Sequence, residues 1–92
     1  MTTLTLKHPL KAGDKTITEL TFLRPRAKGM ARFEELAKAG SLINLQIGII
    51  AETARISEEL AGELIDEDYE KAAELTADFF PKETDDDSKD GD

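Results

Sequence analysis

The sequence contains no cysteine and no tryptophan, a single histidine and three prolines, and its aromatic residues make up only 5% of the chain. Without cysteine there is no disulfide, no thiolate nucleophile and no cysteine-based zinc site. That usage fits a reducing cytoplasm. One histidine rules out a histidine pair for catalysis and a histidine-rich metal centre. No run approaches the roughly 18–20 consecutive apolar residues of a membrane helix, so no membrane partner is expected. The start, Met1-Thr2-Thr3-Leu4, lacks the charged and apolar stretches of a signal peptide.

Charged residues, by contrast, are 35% of the 92 residues, and the formal net charge is −8. The balance is +4 over residues 1–40, −8 over residues 41–81 and −4 over residues 82–92. An acidic chain is a poor ligand for a phosphate backbone, whose binding is driven by counterion release from Lys and Arg contacts. No nucleic-acid partner is therefore expected. The basic first part is expected to pack on or near the acidic later part. The length allows a single small domain, expected over residues 1–81, followed by a tail.

The pattern predicts an α+β fold in which a β-hairpin precedes three or four helices. Thr3-Leu4-Thr5-Leu6-Lys7 alternates polar and apolar residues, and Pro9 is expected to end its regular ladder. Lys11 to Lys15 forms the turn around Gly13. Residues 16–23 are rich in β-branched and aromatic side chains, with Thr18, Leu20 and Phe22 on one face, and Pro25 stops that strand. Residues 28–39 then set Met30, Phe33, Leu36 and Ala37 at helical spacings, closed by Gly40. Ser41 caps a helix over 42–54 that is apolar around most of its circumference and is expected to be the central one. Ser57 caps a third helix with Leu60, Leu64 and Ile65 on its buried side. Asp66 caps a last one over 67–80, ended by Pro81. Residues 82–92 contain no apolar side chain and are expected to be disordered.

No catalytic constellation emerges. His8 has no sequence-evident partner, no serine sits in a nucleophile elbow, and phosphate-binding glycine loops are missing. Asp66-Glu67-Asp68 lacks the glycine and the spacing of a calcium loop, so it reads as helix-start compensation of the dipole. No cofactor and no metal are expected. The apolar 42–54 helix is the candidate binding element. It is too apolar for a small domain to cover easily, which points to partner binding or to a homo-oligomer. Ile43, Ile47 and Ile50 on that helix, with Phe79 and Phe80 at the end of the last one, are the candidate contact residues.

Several features occur in a recognisable order. They are Leu6 and Pro9 in the first strand, Gly13 in the turn, Glu19-Leu20 and then Leu23-Arg24-Pro25. An apolar helix ending Ile49-Ile50-Ala51 follows, then Ile56-Ser57, Leu60, Leu64, Asp66, Asp68 and Phe79. In that order the chain resembles the tail assembly chaperones of contractile-tailed bacteriophages, the Mu-like and P2-like group, over about residues 4–80. It departs from the pattern just after the Arg-Pro step, where Lys28-Gly29 stand in place of an acidic residue. The resemblance implies a non-enzymatic protein of the host cytoplasm that is absent from the mature virion. It implies binding to the tape-measure protein, which it keeps soluble, and help for tail-tube subunits that polymerise around it. A longer form made by ribosomal frameshifting is also implied for many members. Within this frame Pro25 breaks the strand and Arg24 pairs with acids of later helices. An alternative reading is an acidic DNA mimic or inhibitor that binds a basic partner, since residues 52–78 carry ten acidic side chains.

Overall fold

A computed structural model describes residues 2–79. Strands β1 (Thr2–Ala12) and β2 (Lys15–Phe22) form an antiparallel hairpin. Helices α1 (Ala27–Lys38), α2 (Leu42–Ala54), α3 (Glu58–Ala61) and α4 (Asp66–Leu75) follow, and a 3-10 turn spans Ala77–Phe79. This is the α+β order that the change of hydrophobic period predicts. The expected tail over 82–92, with Phe80 and Pro81, lies outside the described residues.

The hairpin turns on Gly13-Asp14, with Gly13 at φ +67° and Ala12 opposite Lys15. Its ladder is interrupted, but the strand does not stop at Pro9. Thr5 faces Glu19 and Leu10 faces Ile17, so Leu6 to Pro9 all stand opposite Thr18. Pro9 has no N–H to donate, and the extra residues bend β1 before pairing resumes at Leu10. The bulge also corrects the expected face of β2. Thr18 is exposed while Ile17 packs against the core, because the irregular stretch changes which side chains point inward.

The bulge is held from outside the sheet. The N–H groups of Lys7 and His8 donate to the two carboxylate oxygens of Asp68, at 3.0 and 2.8 Å. Asp68 is only 2% exposed. Its carboxylate thus satisfies two backbone donors that the broken ladder leaves unpaired. Asp66 does not cap α4 as expected. Ile65 occupies the cap position without a side-chain bond, and Asp66 begins the helix, accepting from the Glu67 N–H at 2.8 Å.

Two apolar clusters share α2. On one side, Leu6, Leu10, Leu20 and Phe22 of the hairpin meet Ile50, Ala51, Ala61 and Ala72. On the other, Phe33 of α1 meets Leu45 and Ile49, with Leu36 and Phe79 at its margin. Ile49 and Ile50 are both wholly buried, so this helix is central as its composition predicts. Ser41 and Ser57 cap α2 and α3 by accepting from the N–H groups of Asn44 and Leu60. Gly40, at φ +85°, follows α1. Met30 and Ala37, expected on the buried stripe of α1, are exposed, and Ile65 is 46% exposed. A single stripe through Phe33 is all that α1 presents to α2.

The last helix ends earlier than the sequence pattern predicts. Buried Thr76 donates its hydroxyl to the Ala72 carbonyl at 2.8 Å and accepts from Gln46 Nε2 at 3.0 Å. The hydroxyl competes with the backbone for carbonyls, and the Gln46 bond holds it there. The chain passes into the 3-10 turn that carries Phe79.

Candidate partner-binding surface

Helix α2 is more thoroughly covered than its composition predicts. Leu45, Gln46, Gly48, Ile49, Ile50, Ala51 and Thr53 are buried. Only its first turn stands out, with Leu42 71% and Ile43 54% exposed. Ile47 is half-buried, and Ile50 lies inside the hairpin core. Of the helix residues singled out from sequence, Ile43 therefore offers the most surface, Ile47 some, and Ile50 none in this fold. Leu75, also exposed, precedes the Thr76 that bonds Gln46, one helical turn along α2 from Ile43. Leu42 was missed from sequence because the residue after a helix cap belongs to the helix but sits at the rim of the core.

Phe79 is half-buried at a second apolar surface. It lines a groove of about 390 Å³ with Pro25, Met30 and Phe33, flanked by Arg24, Glu34 and Asp78. Met30, at 55% exposure, was hidden from sequence reasoning by its helical spacing to Phe33. Phe80, the remaining candidate, lies outside the described residues. A larger groove of about 650 Å³ between β1 and α4 has Leu4 and Ala73 in its walls, but Lys7, Glu67, Glu70, Lys71 and Glu74 ring it with charge.

The basic and acidic parts of the chain meet as expected, though through Arg26 rather than Arg24. Arg26 Nε and Nη2 donate to Glu52 Oε2 and Oε1 at 2.9 and 3.1 Å. The Arg26 backbone N–H donates to the same carboxylate at 2.8 Å. Arg55, at φ +59°, adds a contact to Glu52 at 3.3 Å and donates to the Arg24 carbonyl. One residue, Pro25, separates Arg24 from the cap of α1, and it is the cap residue Arg26 that faces Glu52. Arg32 makes a second two-pronged pair with Glu58, at 2.9 and 3.0 Å, and also reaches Glu35.

These pairs set the acid response. Arg26 first, against opposing burial, holds the Glu52 carboxyl below its ordinary value of 4.5. Arg32 does the same for Glu58, and burial raises the Tyr69 phenol. A depressed carboxylate stabilises the fold fully above its unfolded value, and the contribution is lost as pH falls through the folded one. Thermal stability is therefore expected to fall on acidification below about pH 4.5. Glu52→Gln should flatten that acid limb, and melting curves from pH 7 to pH 3 check it.

Among the described residues, no three acidic or histidine side chains gather to hold a metal, and no helix is long and apolar enough to cross a membrane. The organisation is that of a covered core with apolar side chains exposed at two places on the α1–α2 pair. Compared with known families, the chain matches over residues 3–81 the one described as phage tail assembly chaperone proteins, E, or 41 or 14. The chain belongs to this family of phage tail assembly chaperones. No curated protein and no solved structure matches it.

The stretch Lys28-Gly29 lies where α1 meets an acidic side chain from elsewhere in the chain. Helix α1 of this tail assembly chaperone has no acidic residue in its first turn. Glu52 brings one from α2 instead, and its carboxylate accepts the Arg26 N–H at the helix start. Gly29 makes the room: a Cβ there would stand 2.4 Å from Glu52 Cγ and Cδ. The acidic group at the start of this helix is thus supplied by α2 rather than by the first turn of α1 itself.

Proposed function

We propose that this tail assembly chaperone acts without catalysis, by binding the tape-measure protein of its phage and keeping it soluble while the tail is built. Tail-tube subunits are its second partner. It works in the host cytoplasm and is left out of the finished particle. The observation that carries this reading is the exposure of Leu42 and Ile43 at the start of α2, in a family member whose other α2 side chains are largely buried. A long helical protein with apolar stripes needs apolar cover, and Leu42 and Ile43 lie one helical turn before the half-buried Ile47. The surrounding net negative charge keeps the complex dispersed.

The test is co-expression with the tape-measure protein encoded nearby, with and without Ile43→Ser. The tape-measure protein is expected in the soluble fraction with the native chain, co-purifying at low and high salt alike. The Ile43→Ser chain, still folded, should lose most of that effect. Equal solubility without the chaperone, and no co-purification, would sink the proposal. Capture of a basic, DNA-binding protein that is released at about 0.5 M salt would put an acidic mimic in its place.

A further inference from the structure

The hairpin has two outer edges, and the chain treats them differently. The edge of β1 is blunted by the bulge, by Pro9 and by Asp68, which takes the Lys7 and His8 N–H groups. The edge of β2 carries none of these devices. Alternate backbone groups of an edge strand point away from its neighbour. Among the described residues the outward backbone is met only beyond the strand, where the Leu23 N–H donates to the Thr53 carbonyl at 2.7 Å. Thr16, Thr18, Glu19 and Thr21 along β2 are exposed.

We propose that the β2 edge pairs antiparallel with β2 of a second copy of this chain, giving a four-stranded sheet across a two-fold axis at Ile17. The charges select this occupant and this register. Lys15 and Glu19 are the charged residues of β2, and they flank Ile17 at equal distances in sequence. A two-fold axis at Ile17 sets Lys15 of each copy opposite Glu19 of the other. It also sets Thr16 opposite Thr18, and Ile17 opposite its own counterpart. Opposite charges and threonine pairs are favourable cross-strand neighbours, and a like charge in either place is not. Neither Lys15 nor Glu19 is in an ion pair with another described residue. Ile17 already packs on the hairpin core, so its counterpart extends an existing apolar surface. The contact is isologous, so it closes at two copies. It is independent of the tape-measure reading, since it uses the sheet edge and leaves Leu42 and Ile43 uncovered.

Sedimentation equilibrium of the full chain, up to about 500 µM, tests it with charge variants. The native chain should show a monomer–dimer equilibrium. Glu19→Lys and Lys15→Glu, each creating two like-charge pairs across the axis, should each weaken the dimer about tenfold or more. The double variant, with both charges exchanged, should restore it. Circular dichroism should show all three variants folded, because both side chains are exposed. Amide exchange of the native chain should slow along β2 as concentration rises. A native chain that stays monomeric, with β2 exchange independent of concentration, overturns the proposal. So does a dimer that ignores the single charge changes, or one that the double exchange fails to recover.

Discussion

Asp68→Ala is expected to destabilise the domain by about 3–5 kcal/mol, one of the largest effects available to a single polar substitution. The side chain is 2% exposed, and its two oxygens each accept a backbone N–H from the β1 bulge. Removing it takes the carboxylate from both part-buried donors and empties a buried site, and the interrupted ladder offers these donors no strand partner. Asp68→Asn keeps the shape but turns one acceptor into a donor facing a donor, so it should cost about 2–3 kcal/mol. Asp66→Asn, two residues away and exposed, is the control and should change stability by less than about 1 kcal/mol. Urea titrations read this as a shift of midpoint at constant slope. An Asp68→Ala midpoint close to that of the native chain would show that the bulge does not depend on this carboxylate.

The second large effect is graded along α2. Ile50→Ala should cost about 3–5 kcal/mol, since it empties a wholly buried site between the hairpin and α4. Ile47→Ala, at a half-buried position, should cost about 1–2 kcal/mol. Ile43→Ala, more than half exposed, should stay within about 0.5 kcal/mol. A small domain is stable by only about 5–15 kcal/mol, so the first of these leaves little margin. The same series separates folding from binding. Chaperone activity should be lost through instability at Ile50 and through surface chemistry at Ile43, with melting temperature distinguishing the two. Equal costs at Ile43 and Ile50 would contradict the burial that the fold assigns them.

The graded burial also marks how far the candidate site was legible. Composition identified α2 as the element with more apolar surface than a small domain covers easily, and Phe79 as apolar at the end of the last helix. It did not reveal that the hairpin covers Ile50 while Ile43 remains outside. Met30 shares its spacing with the buried Phe33, yet α1 touches α2 along one narrow line, and Met30 falls off it. Spacing says which residues share a face; the width of the contact depends on how closely two helices approach.

The local elements were set by the sequence. Gly13 with Asp14 makes the turn, and Ser41 and Ser57 cap their helices, because each acts through bonds to residues within a few positions. The switch from alternating to helical period after Pro25 determined the α+β class for the same reason. Four features were decided only in three dimensions. They are the capture of the β1 bulge by Asp68, the loan of Glu52 to the start of α1, the choice of Arg26 over Arg24, and the early end of α4 at Thr76. Each joins groups more than 20 residues apart in the chain. A carboxylate or hydroxyl in the sequence announces its chemistry but not its partner. The partner is fixed when packing of the two apolar clusters brings an unpaired backbone donor or a guanidinium within hydrogen-bonding distance, where leaving it unpaired would cost more than ordering the pair.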